Sequence, residues 1–242
     1  MARFVLVHGA FAGAWSWEPL TPRLEAAGHS AQAIDLPGAG DDRTPLGEVS
    51  LDAYVARLCD ALGERTEPAV VAAHSMGGMV ATQAAARCPE RIAALVYVAA
   101  FLPRDGQSLQ DLVRLPEGEG DQVQANLVVE GDPPVGRLAD DVVRRTTYAC
   151  CSDEVAAWAI PRRRPQALLP FTQPVALGDG ALDGIPRAYV LCGQDQSIPP
   201  PLQRRMIREG GVERVIELDT DHAPMLSMPA ELAEALIDLA TT

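Results

Sequence analysis

The 242-residue sequence contains no lysine, because all 20 of its basic residues are arginine. The absence of lysine excludes a Walker A lysine, a Schiff-base lysine and any other catalytic step that needs an ammonium side chain. The sequence also has no run of about 18 apolar residues, the length that a membrane-spanning helix needs. Its N-terminus lacks the charged region, apolar run and cleavage site of a secretory signal peptide. From these absences we expect a cytoplasmic protein.

Cysteine is scarce, with five residues scattered along the chain: Cys59, Cys88, Cys150, Cys151 and Cys192. An odd number of cysteines inside mostly apolar stretches is typical of buried thiols in a reduced intracellular protein, not of a disulfide scaffold. The neighbours Cys150 and Cys151 would bond to each other only with strain, so a redox role is not expected for them.

Acidic residues outnumber basic ones by 33 to 20, which gives a net charge of −13 and an isoelectric point near 4.7. A nucleic acid or an anionic membrane requires a basic patch on its partner, so neither is expected to bind this chain. An apolar content of 48% in 242 residues indicates one large hydrophobic core. The sequence leaves the oligomeric state open, a homodimer included.

Six apolar runs, rich in β-branched residues or alanine, are continuous and not alternating, which is typical of parallel strands covered on both faces. Segments with helical periodicity lie between most of them, and this alternation predicts a doubly wound α/β fold. The predicted strands are Arg3–Val7, Ser30–Asp35, Ala69–Ala73, Ile92–Val98, Arg187–Cys192 and Val212–Leu218. The predicted helices are Trp15–Ala27, Leu51–Glu64, Met76–Arg87, Pro200–Arg208 and Ala230–Leu239, with Ser50 and Pro229 at favoured starting positions.

The alternation stops between about Leu102 and Ile185, where prolines are frequent and the helical segments, such as Leu138–Tyr148 and Ser152–Ile160, are short. We predict a mainly helical cap of residues 103–185, inserted after the fourth strand of a core made of residues 1–102 and 186–242. Such a cap lies above the carboxyl ends of the strands, where open parallel sheets bind ligands.

Apolar cap residues are candidates for a substrate pocket, with simple burial of the cap against the core as the alternative for each. They are Tyr148, Trp158, Leu168, Leu169 and Phe171. The run Arg162–Arg164 is a concentrated positive charge, for which we expect a solvated loop and not an anion site.

The most informative segment is Ala73-His74-Ser75-Met76-Gly77, which follows the predicted third strand and begins a helix. It matches the nucleophile-elbow pattern G-x-S-x-G, with Ala73 in place of the first glycine. Such a turn holds a serine in a strained conformation, its hydroxyl clear of the sheet and a helix N-terminus behind it. Ser75 is therefore the candidate nucleophile, and an ordinary helix cap is the alternative.

A serine nucleophile needs a base within hydrogen-bond reach and an acid that orients the base. Of the four histidines, His8, His74 and His222 follow the carboxyl ends of predicted strands. We expect His74 to point away along the elbow and His8 to serve the turn after the first strand. His222 is therefore the predicted base.

The acid is expected after the fifth strand, since the order in such hydrolases is serine, acid, histidine. Asp195 lies there, and 27 residues separate it from His222, enough for one helix and one strand. Asp219 and Asp221 are too near the histidine in sequence to reach its Nδ1 side easily, so we expect them to be solvated at the strand end.

An acyl-transfer intermediate also needs two donors for its oxyanion. The backbone N–H of Met76, directly after the nucleophile, is one candidate. The loop after the first strand supplies the second, where Gly9 permits a tight turn and Ala10 presents its N–H, with Phe11 as the neighbouring alternative.

Three sequence segments carry a resemblance that extends from Arg3 to about Leu239. They are Val5–Ala10 with Gly13–Trp17, His74–Gly78, and Asp221–Ser227 with Pro229. The chain resembles the α/β-hydrolase group that contains plant methylesterases, salicylate-binding esterases, hydroxynitrile lyases and bacterial esterase relatives. The resemblance implies a six-stranded body, a small cap, a mostly apolar pocket, no metal or cofactor, and a Ser75-Asp195-His222 triad.

The resemblance also bears on the reaction, because similar lyases place a threonine where Gly9 stands and a lysine where Ala223 stands. That ammonium stabilises departing cyanide, and this chain has none. We expect Gly9, Phe11 and Ala223 to belong to the substrate pocket, and Gly9 and Ala223 to leave room for an acyl group and water. The expected activity is hydrolysis of small to medium carboxylic esters, methyl or aryl esters included. A cofactor-free lyase or cyclase using the same triad stays open, as does a ligand-binding protein on a retired hydrolase scaffold.

Overall fold

The apolar runs form strands in the computed structural model, which describes residues 1–240. Six strands make one parallel sheet in the order β2-β1-β3-β4-β8-β9, so the predicted doubly wound sheet is confirmed. Each predicted strand boundary lies within two residues of the observed one. The strands in the described chain are β1 (Arg3–Val7), β2 (Ser30–Ile34), β3 (Ala69–His74), β4 (Ile92–Val98), β5 (Val128–Glu130), β6 (Val135–Arg137), β7 (Gln166–Ala167), β8 (Arg187–Cys192) and β9 (Arg214–Leu218).

Helices cover both faces of the sheet, and no helix within residues 1–240 is long and apolar enough to cross a membrane. Ser50 precedes α2 as predicted, and its hydroxyl accepts a hydrogen bond from the Ala53 N–H at 3.1 Å. The α-helices of the described range are α1 (Thr21–Ala26), α2 (Leu51–Gly63), α3 (Gly77–Arg87), α4 (Leu109–Val113), α5 (Gln122–Asn126), α6 (Asp140–Arg145), α7 (Asp153–Ala159), α8 (Leu169–Thr172), α9 (Pro200–Glu209), α10 (Pro224–Ser227) and α11 (Pro229–Ala240).

The helix predicted over Trp15–Ala27 is wrong in its first half. The chain forms a short 3-10 helix over Ala14–Trp17, and α1 begins only at Thr21. Pro19 and Pro22 explain the break, because proline has no N–H to donate and clashes with the preceding helical turn.

Alternate residues of the strands pack into two different hydrophobic layers. Val5 and Val7 of β1 pack in the layer that contains α2, α3 and α9, whereas Phe4 and Leu6 pack in the layer that contains α1 and α11. All four side chains are fully buried. Burial on both faces accounts for the unbroken apolar runs in the sequence.

The segment between β4 and β8 carries helices α4 to α8 and a small antiparallel sheet of β5, β6 and β7. The helical segments expected over Leu138–Tyr148 and Ser152–Ile160 correspond to the shorter helices α6 and α7. The division into a core and a cap at residues 103 and 185 stays a prediction.

Cys59 and Cys88 form a disulfide, so the prediction of free thiols is wrong for this pair. Cys59 lies in α2 and Cys88 directly follows α3, and these helices pack together on one face of the sheet. The packing brings together two cysteines that are 29 residues apart in sequence. Cys151 and Cys192 are buried thiols and Cys150 is an exposed one. The pairing removes the cysteine argument for a reducing compartment, and the cytoplasmic location stays a prediction.

Candidate active site

Ser75 lies on a strained turn between β3 and α3, at the carboxyl edge of the sheet. Its φ is +53°, in the left-handed region that non-glycine residues seldom adopt. Backbone bonds fix this conformation, because the Ser75 carbonyl accepts hydrogen bonds from the N–H groups of Gly78 at 3.0 Å and Phe101 at 3.1 Å. The following glycine is required by space, since a Cβ on Gly77 would lie 2.9 Å from the His8 carbonyl oxygen.

The structure brings the three predicted triad residues together from loops that follow β3, β8 and β9. The Ser75 Oγ lies 2.9 Å from His222 Nε2, and His222 Nδ1 lies 2.7 Å from Asp195 Oδ2. All three residues are buried. The arrangement permits a proton to pass from the hydroxyl to an imidazole that a carboxylate orients.

Four donors hold the Asp195 carboxylate in place. Oδ1 accepts the N–H groups of Ser197 at 2.7 Å and Ile198 at 2.9 Å. Oδ2 accepts the Gln203 side-chain amide at 3.1 Å in addition to His222. Gln203 is fully buried in α9 and also accepts the Cys192 N–H, so it ties the acid to the end of β8. These bonds leave the carboxylate one orientation toward the imidazole.

The charge of Asp195 controls the basicity of His222. Burial lowers the pKa of His222, but the charge and hydrogen bond of Asp195, with smaller contributions from Asp221 and Asp121, raise it above its ordinary value. The imidazole is therefore a stronger base than a free histidine.

His74 does not point away along the elbow, contrary to expectation. Its Nε2 lies 2.7 Å from the His222 carbonyl oxygen, and the two rings lie 4.6 Å apart. Because a carbonyl only accepts, Nε2 carries the proton, and Nδ1 has no hydrogen-bond partner in the described chain. Burial, followed by the charge of His222, lowers the pKa of His74 well below its ordinary value, so its ring is neutral. His74 thus helps to hold the backbone of His222.

His8 serves the turn after β1, as expected. Its Nδ1 donates to the Gly9 carbonyl at 2.7 Å, and its Nε2 accepts the Leu36 N–H at 3.1 Å. Both nitrogens are occupied in one neutral tautomer, and burial lowers the pKa of His8. The ring fixes the loop that carries the candidate oxyanion donor.

The hydrogen bonds of this loop favour Ala10 over Phe11 as the second oxyanion donor. The Phe11 N–H donates to the Gln166 Oε1 at 3.3 Å, and the Gln166 amide is itself anchored on the Tyr54 hydroxyl at 2.9 Å. In the described chain the N–H groups of Ala10 and Met76 donate to no protein acceptor. These two amides are free for a ligand oxygen.

Gly9 does not line the substrate cavity, and its predicted place in the pocket is wrong. A Cβ at this position would lie 2.7 Å from the Cβ of Ser75 and 2.8 Å from Nδ1 of His74. The space above Gly9 is therefore filled by the elbow and not by a ligand.

A cavity of about 70 Å³ lies over Ser75 and His222, beneath the cap. The predicted pocket residues Phe11, Tyr148, Phe171 and Ala223 line it, as do the triad serine and histidine. Most of the lining is apolar.

Three other predicted pocket residues lie outside this cavity. Trp158 packs edge-on against Trp15 at 5.6 Å, under the guanidinium of Arg162. Leu168 packs against the core layer of α2 and α3, and Leu169 is 46% exposed. Trp158 and Leu168 therefore help to attach the cap, whereas Leu169 faces solvent.

Arg163 and Arg164 of the arginine run are bound to other segments of the protein, so the expected solvation holds only for the exposed Arg162. Arg162 donates to the Trp158 carbonyl, Arg163 donates to the Leu138 carbonyl and pairs with Asp140 at 2.8 Å, and Arg164 donates to the carbonyls of Gly40 and Asp42. Arg163 and Arg164 thus fasten different segments to one another, whereas the exposed Arg162 bonds only within its own segment. Their role is structural.

Asp221 is fully buried, so its expected solvation at the strand end is wrong. Its carboxylate accepts the Cys150 N–H at 2.7 Å, the Ala223 N–H at 3.1 Å and the Ser227 hydroxyl at 3.1 Å. Asp219 is exposed, as expected. One carboxylate therefore joins the cap segment to the loop that carries His222.

The fold and this site have counterparts among known proteins. The alpha/beta hydrolase family matches residues 4–235. Methylesterase 7 from Arabidopsis thaliana is 32% identical over 249 residues, which cover 98% of this chain and 96% of that protein. The alpha-hydroxynitrile lyase from the same plant is 31% identical over 251 residues, with 98% and 96% covered. The crystal structure of polyneuridine aldehyde esterase matches with a TM-score of 0.88 at 29% identity over 99% of both chains; the relative of that name from Rauvolfia serpentina is 30% identical over 98% of this chain and 94% of its own.

The chain therefore belongs to the alpha/beta hydrolase family, and the resemblance drawn from its sequence is confirmed. Its relatives are esterases, with a lyase among them, so its activity is that of an esterase or lyase of this family. The predicted enzyme class, a serine hydrolase, is confirmed at the level of the family.

Proposed function

We propose that this protein is a carboxylesterase that hydrolyses small to medium carboxylic esters through an acyl-enzyme on Ser75. The observation that carries the proposal is the hydrogen-bonded chain from Ser75 through His222 to Asp195, beside two amides that have no acceptor within residues 1–240. A small-molecule ester is the proposed partner. That the protein binds neither nucleic acid nor a membrane stays a prediction. Its oligomeric state stays open.

In the proposed mechanism, the Ser75 Oγ attacks the ester carbonyl carbon while His222 Nε2 takes the hydroxyl proton. Asp195 accepts a hydrogen bond from the Nδ1–H of His222 and stabilises the imidazolium that forms, without taking its proton. The amides of Ala10 and Met76 donate to the oxyanion, each contributing about 10²–10³ in rate. His222 then protonates the departing alcohol oxygen. In the second half, His222 takes a proton from a water molecule that attacks the acyl carbon, and returns it to the Ser75 Oγ as the bond to the acyl group breaks and the carboxylic acid leaves.

Two positions support hydrolysis over cyanohydrin cleavage. Ala223 lines the cavity directly after His222 and carries no ammonium for departing cyanide. At Gly9, a side chain such as threonine would overlap Ser75 and His74 in their observed positions. The lyase among the relatives keeps the second activity open to test.

Parallel assays distinguish the two activities. We expect hydrolysis of p-nitrophenyl acetate and of aliphatic or aryl methyl esters well above the uncatalysed rate, and no release of cyanide from mandelonitrile above background. Cyanide release without ester hydrolysis would assign the protein to the lyases.

The activity is expected to rise with pH through a midpoint above about 6.5, the ordinary pKa of histidine. Only the neutral imidazole can take the Ser75 proton, and the net effect of its surroundings raises the pKa of His222. The dependence of kcat/KM on pH, measured between about pH 5 and 9, reports this value for the free enzyme. A flat profile, or a midpoint below that of ordinary histidine, would contradict the assignment of His222 as the base.

A further inference from the structure

The cavity over Ser75 contains a carboxylate that the proposed mechanism does not use. Asp121 comes from the cap, directly before α5, and only 8% of it is exposed. It lines the same cavity as Ser75 and His222. An acidic side chain in an otherwise mostly apolar cavity calls for a physical reason, because burial of a charge costs free energy.

The two oxygens of Asp121 have different surroundings. Oδ1 accepts the N–H groups of Val123 at 2.8 Å and Gln124 at 3.0 Å, as the cap of α5. Oδ2 has no hydrogen-bond partner among residues 1–240, and in that range no arginine or histidine forms an ion pair with the carboxylate. Half of this carboxylate is thus available to a ligand.

Helix capping does not explain the charge. An asparagine or serine caps a helix about as well as aspartate does, and the capping role occupies only Oδ1. Burial raises the pKa of Asp121 to about 6, although the two amides and the charge of His222 lower it. Near neutral pH the group is therefore mostly ionised, with its charge beside the reacting ester.

We infer that Asp121 determines substrate specificity: its free oxygen accepts a hydrogen bond from a protonated amine or hydroxyl of the ester, and its charge disfavours esters that carry a carboxylate. The inference rests on the proposed function and narrows its substrate class. Arg163, the cation that also lines the cavity, already binds Asp140 and the Leu138 carbonyl through one terminal nitrogen, which reduces the attraction it can offer to an anionic ester.

The test compares esters of equal shape and different charge near pH 8, where Asp121 is ionised and amines are protonated. The acyl series consists of the cationic methyl 4-aminobutanoate, the neutral methyl pentanoate and the anionic monomethyl succinate. On the alcohol side, 3-(dimethylamino)propyl acetate is cationic and 4-methylpentyl acetate is its neutral counterpart. The measured quantity is the ratio of kcat/KM for each charged ester to that of its neutral counterpart.

Asp121→Asn retains an oxygen for the cap of α5 and removes the charge. We expect the cationic-to-neutral ratio to fall about 10-fold in at least one series, and the anionic-to-neutral ratio to rise by a similar factor. Asp132→Asn is the matched control, because it neutralises an exposed carboxylate of the same segment and leaves the ratios unchanged. Ratios that Asp121→Asn does not alter would overturn the inference, as would an equal loss for all esters.

A binding experiment separates this inference from the proposed function. Pentylammonium and pentanoate are titrated calorimetrically into Ser75→Ala protein and into the Ser75→Ala, Asp121→Asn double variant. We expect preference for pentylammonium in the first and its loss in the second. If no ester is hydrolysed, the proposed function fails while this titration still decides the role of Asp121. Equal affinity of the Ser75→Ala protein for both ions would refute that role.

Discussion

Replacing Ser75 with alanine is expected to lower the turnover of p-nitrophenyl acetate by about 10⁴-fold or more. The substitution removes the hydroxyl oxygen that lies 2.9 Å from His222 Nε2, so the acyl-enzyme cannot form. The proposed oxyanion donors, the amides of Ala10 and Met76, are unchanged in this variant, so we expect residual catalysis by water. Steady-state kinetics on the purified variant measures the loss.

Ser152→Ala is the matched control for this loss. Ser152 caps α7 through the Val155 N–H and lies outside the cavity, so its removal costs stability and leaves turnover near that of the wild type. A fluorophosphonate probe should label the wild type and Ser152→Ala but not Ser75→Ala. Turnover of Ser75→Ala near that of the wild type would refute the proposed mechanism.

Asp195→Asn is expected to lower kcat by about 10³–10⁴-fold, through the tautomer of His222. The N–H groups of Ser197 and Ile198 hold the side-chain oxygen at the Oδ1 position, so the new amide must turn its NH₂ toward His222 Nδ1. That nitrogen then has to accept, and the proton moves to Nε2. An Nε2 that carries a proton cannot take one from Ser75.

For Asp195→Asn we also expect a change in the pH dependence of the activity. Loss of the Asp195 charge removes a main cause that raises the pKa of His222 and leaves burial, which lowers it. The midpoint of the residual activity should therefore shift to lower pH. Asp219→Asn, in an exposed carboxylate at the end of β9, serves as the control and should preserve both rate and midpoint. An Asp195→Asn enzyme with the wild-type pH profile would rule out this carboxylate as the partner of the imidazole.

The sheet was predictable because its central strands are covered on both faces. Val70, Val71 and Ala72 of β3 are all buried, so the sequence shows an unbroken apolar run and not an alternating one. Edges were harder to place: β9 begins two residues later than predicted and alternates between partly buried and exposed residues as far as Glu217. The prediction of the first helix was wrong because the helical periodicity of Trp15–Ala27 was given more weight than the two prolines within it.

The contacts among Ser75, Asp195 and His222 followed from topology, since loops at the carboxyl ends of neighbouring parallel strands must lie at one edge of the sheet. Other contacts depend on side-chain direction, which no spacing in the sequence shows. The approach of His74 to the His222 carbonyl is one, and the bond from Phe11 to Gln166, 155 residues away, is another. The disulfide between Cys59 and Cys88 could not be predicted either, because it depends on how α2 and α3 pack against each other.

Asp121 illustrates the limit most clearly. In sequence it is one of 33 acidic residues, in a segment rich in glycine and glutamate, where solvation is the ordinary expectation. Asp121 lines the cavity only because it lies directly before α5 and the cap folds over the sheet. Its neighbour in sequence Gln122 fixes that placement, because the Gln122 N–H donates to the Gln196 carbonyl at 2.8 Å, one residue after Asp195.

The buried carboxylate of Asp221 connects the cap to the loop that carries the base, His222. Asp221 directly precedes His222, and its carboxylate accepts the N–H of Cys150 on one side and, on the other, the N–H of Ala223, the residue directly after His222. A displacement of the chain at Cys150 would therefore either shift the loop that carries His222 or break the hydrogen bond from the Cys150 N–H to Asp221. The position of the chain at Cys150 and the placement of the imidazole are thereby coupled through one side chain.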